Sequence, residues 1–329
     1  LKPIAILRTV AALGLLAWLL NRIGHTDVLE RLRHASPLLM LAAVAVIVLD
    51  GLLRAWNWRQ LLQAMRLAPH VPYGRLLGNF WSAAFLGQVL PSTAGTDALR
   101  ALGAARTVGG PLSAHVAAVV MVNAVSLFAG CAIGLACLPF LGLAVGEAHG
   151  MRPAVALVFA AAVLGASGAY LTVKYQRGLV LRCLGVLKGR RGLKLRRGLR
   201  RFVDKILVFE RYDARPLPVF GIACLTLLTR SGAFALAGAA VGIQLPVLAW
   251  LTLAPSVMLS GLVPYSVAGY GGDQAASVYF LGGFGASAAD ALALALLMPL
   301  VPMAFNLLGA IPTVLGGGLR GAAPERAAP

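Results

Sequence analysis

The stretch from Asn79 to Arg100 reads NFWSAAFLGQVLPSTAGTDALR, and its polar residues are of the types that bind an anion. It starts as an apolar run, meets Gln88, Pro91, Ser92, Thr93, Gly95 and Thr96, and ends on Asp97 and Arg100. A second stretch, Met258 to Gln274 (MLSGLVPYSVAGYGGDQ), carries Pro264, Ser266, Gly269, Gly271, Asp273 and Gln274 in a similar arrangement. Gly- and Ser-rich backbone at a helix break presents N–H donors to a phosphate. Arg100, Arg54 or Arg230 would supply the countercharge. Asp97 and Asp273 would either hold those arginines or meet a cationic group. The plain structural alternative for Asp97 is a helix N-cap ahead of Ala98.

Bond-breaking chemistry fits these residues less well. A serine nucleophile needs a base beside it. No histidine lies between His70 and His115, and nothing in the spacing joins His115 to Ser92 or Ser266. No HExxH pattern occurs, so zinc hydrolysis is unsupported. The expectation is a binding site without catalytic residues, metal or cofactor. The chain also lacks a nucleotide-binding loop, so ATP is not the expected energy source.

The elements that must position these residues follow from composition. The chain is 59% hydrophobic and 12% charged, against about 25% charged in soluble domains. Apolar runs of about 20 residues recur, each long enough to cross a bilayer core of roughly 30 Å. A polytopic helical membrane protein is expected. The net charge of +18 is concentrated in one loop, which points to a membrane surface rather than nucleic acid. Cys131, Cys137, Cys183 and Cys224 show no metal spacing, and three of the four cysteines lie in apolar runs as small packing residues. Ile4 to Leu20 has no small-residue cleavage site behind it, so a signal peptide is not expected.

In chain order, spans are expected over about Pro3 to Leu20, Pro37 to Ala55, Pro111 to Ala136, Pro153 to Val173, Pro216 to Val241 and Ser287 to Val314. Asp50 and Arg54 share a helix face in the second span, as an interfacial ion pair or as part of a site. Trp56 to Leu67 mixes aromatic, apolar and basic residues, which suits a helix lying among headgroups but is read first as aromatic-belt anchoring at the interface. His115 and Asn123 are isolated polar groups, expected to be satisfied interhelical hydrogen bonders. Residues 174–215 are strongly basic, with Leu195, Leu199, Phe202 and Ile206 at helical spacing. That pattern is an amphipathic basic helix, serving either topogenic charge or recruitment of anionic lipid.

Lys and Arg are absent from Thr107 to Met151 and from Ser231 to Leu319. By the positive-inside rule the loops in those windows face out, while 174–215 and the C-terminus face the cytoplasm. Parity then suggests re-entrant hairpins at 76–100 and 246–284, entering from opposite faces; the alternative is ordinary spans with one crossing miscounted. The expected organisation is a first membrane half (1–173), a basic cytoplasmic loop (174–215), a second membrane half (216–319) and a disordered tail (320–329). The fold expected is an all-α polytopic transmembrane bundle with two re-entrant broken-helix hairpins in an inverted-repeat arrangement. Such folds place a site near the midplane, where broken helices meet.

The two broken segments also carry a resemblance. LPSTAGTDALR resembles the Leu-Pro-Ser-x-x-Gly-x-Asp-x-x-Arg signature of the flippase-like integral membrane domain of lysylphosphatidylglycerol synthases and its stand-alone relatives. PYSVAGYGGDQ resembles the family's Pro-x-Ser-x-x-Gly-x-Gly-x-x-Glu signature. The resemblance spans about residues 4 to 315 and implies a stand-alone member without the aminoacyl-transferase domain. Three positions depart from the pattern: Gln274 replaces Glu, Thr96 replaces a second Gly, and Asn123-Ala124 replace Glu-Arg. They imply either a lipid of different charge or a lost ion pair.

The function implied is flippase- or scramblase-like translocation of a phospholipid or other polar-headgroup lipid. The substrate-binding set would be Arg54, Asn79, Gln88, Pro91, Ser92, Thr93, Gly95, Asp97, Arg100, Arg230, Pro264, Ser266, Gly269, Gly271, Asp273 and Gln274. The alternative is a membrane scaffold or regulatory partner of a lipid-modifying enzyme or glycosyltransferase. Expected partners are a membrane lipid substrate, anionic lipid at the basic loop and a lipid-modifying enzyme, but no nucleic acid. The Gly-rich run Gly130 to Gly142 permits homo-oligomer contact. The expected location is the bacterial cytoplasmic (inner) membrane.

Overall fold

A computed structural model describes residues 14, 17–65, 67, 71–88, 93–145, 151–175, 216–260 and 272–314. Among them the regular structure is helical: α1 (His25–Arg33), α2 (Pro37–Ala64), α3 (Tyr73–Gly87), α4 (Thr93–Val108), α5 (Leu112–Val145), α6 (Met151–Tyr175), α7 (Pro216–Ala240), α8 (Val247–Ser260), α9 (Gly272–Gly283), α10 (Ala288–Leu297), α11 (Leu300–Leu307) and α12 (Ala310–Val314). Four stretches are long and apolar enough to cross a bilayer: Pro37–Ala64, Leu112–Phe140, Pro218–Ala240 and Ala288–Val314. The chain is an all-α, polytopic membrane bundle.

α2 begins with Pro37 in its first turn, where a missing N–H breaks no helical bond. Its 28 residues extend about 42 Å, beyond the roughly 30 Å of hydrocarbon. Ala43, Ile47, Asp50, Gly51, Ala55, Trp58, Leu61 and Leu62 are buried at intervals of three and four, so one stripe faces protein. Leu38, Leu41 and Leu49 are exposed on other faces, as lipid-facing side chains are. Trp56 to Ala64 form no separate headgroup helix; they continue α2. No breaker interrupts α2 before Ala64, and Trp58, Leu61, Leu62 and Met65 are core residues. Arg59 and Trp56 remain outside as a cation–π pair, 5.2 Å from guanidinium carbon to ring centre.

Bundle helices cannot be held together by hydrophobicity alone, because lipid is as apolar as leucine; close packing must do it. Small residues permit this here. Ala101 and Ala104 on α4, and Ala114, Ala117 and Ala118 on α5, are fully buried. α2 packs most extensively on α7. The Ser36 N–H donates to the Ala240 carbonyl at 3.0 Å, tying the start of α2 to the end of α7, so the two run antiparallel. At Gly51 the Phe305 ring of α11 occupies the space a Cβ would need. Cys131 and Cys137 are free and buried, and Cys224 is free and half-buried; Cys183 lies outside the described residues.

Over their described residues, two pairs of helices are shorter than a bilayer crossing. α3 and α4 have 15 and 16 residues, about 22–24 Å each. They pack on each other, with Thr96 against Gly87 so closely that a Cβ at Gly87 would collide with it. α8 and α9, with 14 and 12 residues, reach about 18–21 Å and also pack together. α5 touches both pairs, through α4 and through α8. Extensive packing of one pair on the other is not found among the described residues.

Candidate functional site: a charged cluster in the bundle

Asp50 and Arg54 lie one turn apart on α2. They do not form the local pair their spacing allows. Asp50 Oδ2 meets Arg230 Nη2 of α7 at 3.4 Å, and Asp50 Oδ1 accepts from Thr229 Oγ1 at 3.2 Å. The antiparallel α2–α7 contact puts these groups opposite one another and outcompetes the neighbour in sequence. Arg54 has no carboxylate partner among the described residues; its guanidinium carbon lies 5.9 Å from the centre of the Phe80 ring.

Phe80, on α3, is buried and serves a second cation. The Arg100 guanidinium carbon lies 4.2 Å from the same ring centre. Such a contact contributes about 0.5–2 kcal/mol, more as water is excluded. Arg100 Nη1 also donates to Asp97 Oδ1 at 3.1 Å, one turn back on α4. Asp97 Oδ2 accepts from Asn123 Nδ2 of α5 at 2.7 Å. α4 starts at Thr93, so Asp97 lies inside the helix and is not its N-cap. Asn79 Nδ2 donates to the Arg100 carbonyl at 3.1 Å, closing the α3–α4 hairpin.

The charges of Arg54, Arg100, Arg230, Asp50 and Asp97 lie within electrostatic reach of one another. Three cations and two anions give this cluster a net charge of +1 among the described side chains. A crevice opens beside it, lined by Arg54, Trp58, Phe80, Arg100, Val119, Val122 and Asn123. Its free volume is about 10 Å³, room for roughly one water molecule. Arg100 Nε and Trp58 Nε1 are buried without a hydrogen-bond partner among the described residues, as is Gln88 Nε2 at the end of α3. The same condition holds elsewhere in the bundle, at Asn57, Trp81, Ser82, His115 and Ser231, so at the crevice it matters only together with the Arg54 guanidinium beside it.

The structure therefore brings Arg54, Asn79, Asp97, Arg100 and Arg230 together. Gly95 sits partly buried on α4. Gln274, fully buried on α9, does not line the crevice; its Nε2 donates to the Ala295 carbonyl of α10 at 3.1 Å. Pro91, Ser92, Pro264, Ser266, Gly269 and Gly271 lie outside the described residues, as do the side chains of Thr93 and Asp273. The basic loop 176–215 and the tail from 315 onward are outside them too. Sequence reasoning did not place Phe80, Trp58, Thr229 or Asn123 in a site. Phe80 and Trp58 look like ordinary apolar residues; the signals available are the place of Thr229 beside Arg230 and that of Asn123 at a departure from the family pattern. His115, buried, meets the Gly109 carbonyl through Nε2 at 2.8 Å and has a packing role. No group of three or more His, Cys, Asp or Glu among the described residues could hold a metal.

An apolar helical bundle enclosing paired charges and a polar crevice defines a multi-pass membrane protein with an internal polar site. Residues 5–310 match the family described as the lysylphosphatidylglycerol synthase TM region, and the chain belongs to that family. The family is a membrane domain associated with lipid handling. No curated protein and no solved structure gives a significant match.

Proposed function

We propose that this chain translocates a polar-headgroup lipid between leaflets, with the α2–α3–α4–α5–α7 cluster as its headgroup site. The observation that carries this reading is the set of five ionisable side chains, from α2, α4 and α7, coupled electrostatically inside a bundle of lipid-facing helices, with Arg54 and Arg100 over one buried ring. A charged group at the bilayer centre costs about 2.5–3.5 kcal/mol or more, so such residues mark paths and binding sites by default. The crevice is narrow as it stands, so a headgroup enters only when the α3–α4 hairpin moves from α2 and α5. The lipid tails stay in the bilayer, and the charged groups replace part of the headgroup's water. Both hairpins dip in from opposite faces in this scheme, with the basic loop cytoplasmic, the location the bacterial inner membrane, and no covalent step.

The test is leaflet exchange of fluorescent phospholipids in proteoliposomes, read by quenching of the outer leaflet. Exchange should exceed that of empty liposomes and fall at least about tenfold in Arg100→Ala, an effect the size of one charged contact. Exchange no faster than in empty liposomes would reject the reading and favour a scaffold acting through residues 174–215.

A further inference from the structure

Resting on that reading, we infer that the crevice is an anion receptor for a phosphate-bearing lipid whose headgroup carries a net single negative charge, and that Arg54 is its principal ligand-binding side chain. The crevice is donor-rich. Arg54 brings a guanidinium with no carboxylate partner, and Arg100 Nε and Trp58 Nε1 are buried donors with no acceptor, among the described residues. All three residues line the same small space. Neither nearby carboxylate is idle: Asp97 is held by Arg100 and Asn123, and Asp50 by Arg230 and Thr229. A set of donors without acceptors recognises a group that only accepts, and phosphate oxygens are such a group.

Charge arithmetic gives the same answer. The cluster stands at +1, so a phosphodiester of charge −1 makes the occupied site neutral. A headgroup with one added ammonium, as in a zwitterionic lipid, leaves the site at +1. A headgroup that is itself cationic raises the total further. In a low-dielectric bundle an uncompensated charge is the costly state. The site thus selects phosphodiester headgroups that lack an amine.

The experiment measures binding separately from movement. Purified full-length chain in nanodiscs is titrated with short-chain phosphatidylglycerol, phosphatidylcholine, inorganic phosphate and sn-glycerol 3-phosphate, and bound lipid is counted by native mass spectrometry. Wild type should prefer phosphatidylglycerol to phosphatidylcholine by about tenfold, the worth of one charge-assisted hydrogen bond. Arg54→Gln should weaken both lipids, since both carry a phosphate, and phosphatidylglycerol more, so that the preference is lost; Arg54→Lys should keep part of it. Trp58→Phe, which removes one donor and keeps the ring packing, should reduce it severalfold. Equal wild-type binding of the two lipids overturns the inference, whatever the variants do. So does an Arg54→Gln protein that folds and retains the preference. Displacement of phosphatidylglycerol by inorganic phosphate at equal concentration assigns the site to the free anion and overturns the lipid assignment. Headgroup preference without leaflet exchange keeps the receptor and sinks translocation; exchange without preference does the reverse.

Discussion

The two short-helix hairpins carry Pro, Ser and Gly in the same order, with Gly three residues after Ser in each (Ser92 to Gly95, Ser266 to Gly269), but the described side chains of the helices that follow are fastened by different chemistry. α4 brings Asp97 and Arg100, which engage each other, Asn123 of α5 and the Phe80 ring of α3. α9 brings Gln274, a neutral amide that donates to a backbone carbonyl on α10. A charge in a low-dielectric bundle depends on every partner it has, because losing one leaves the rest uncompensated. A neutral amide bond is worth only about 0.5–1.5 kcal/mol net. On the reading proposed above, the first hairpin is the element whose position a charged ligand alters, and α9 stays as the anchor of its own hairpin.

Removing Asp97 tests this most severely. Asp97→Ala takes the acceptor from both Arg100 and Asn123 and should destabilise the protein by about 3–5 kcal/mol. A lowered melting temperature in detergent, with lost lipid exchange, is the expected result. The double variant Asp97→Ala/Arg100→Ala should recover part of the stability, since the orphaned cation is gone, but none of the transport. Additive losses would mean that the two residues are not coupled.

Asn123→Leu comes next. It deletes a 2.7 Å donor to a carboxylate, and bonds of that kind contribute about 1.5–3 kcal/mol. Asp97 keeps Arg100, so the variant should fold, melt lower and exchange lipid slowly. Gly87→Val probes closure of the same hairpin without touching a charge. The added side chain has to displace Thr96, an overpacking cost of about 1–3 kcal/mol. Exchange should fall with it if α3 and α4 act as one body.

Four of the six expected apolar spans could be read from composition because hydropathy over about 20 residues records the bilayer's thickness directly; the one expected over Pro3 to Leu20 lies almost wholly outside the described residues, and the one over Pro153 to Val173 falls in α6, whose described apolar stretch is shorter. The Asp97–Arg100 pair was also legible, since residues three apart on a helix share a face. The same rule misled at Asp50: it says that Arg54 shares its face, not that Arg230, 180 positions away, lies closer across the bundle. Partner choice between helices depends on register, which leaves little local trace. Asn123 illustrates this too, because its acceptor Asp97 is 26 positions off. Trp56 to Leu67 looked interfacial from its mixed residues. That composition is equally what a helix needs when one stripe stays in the core as it leaves the hydrocarbon.

Gln274→Leu has the smallest expected effect and bears most directly on the contrast. The substitution conserves approximate volume and removes the donor to the Ala295 carbonyl. It introduces no charge and leaves the Arg54–Phe80–Arg100 group untouched. Stability should fall by about 0.5–1.5 kcal/mol, read as a melting temperature a few degrees lower. Lipid exchange should stay within about twofold of wild type, because a loss of that size shifts α9 without altering the headgroup's ligands. A folded Gln274→Leu protein with exchange as weak as Asp97→Ala would show that the amide contacts the lipid itself. The two hairpins would then share the binding chemistry, and the division into receptor and anchor would fail.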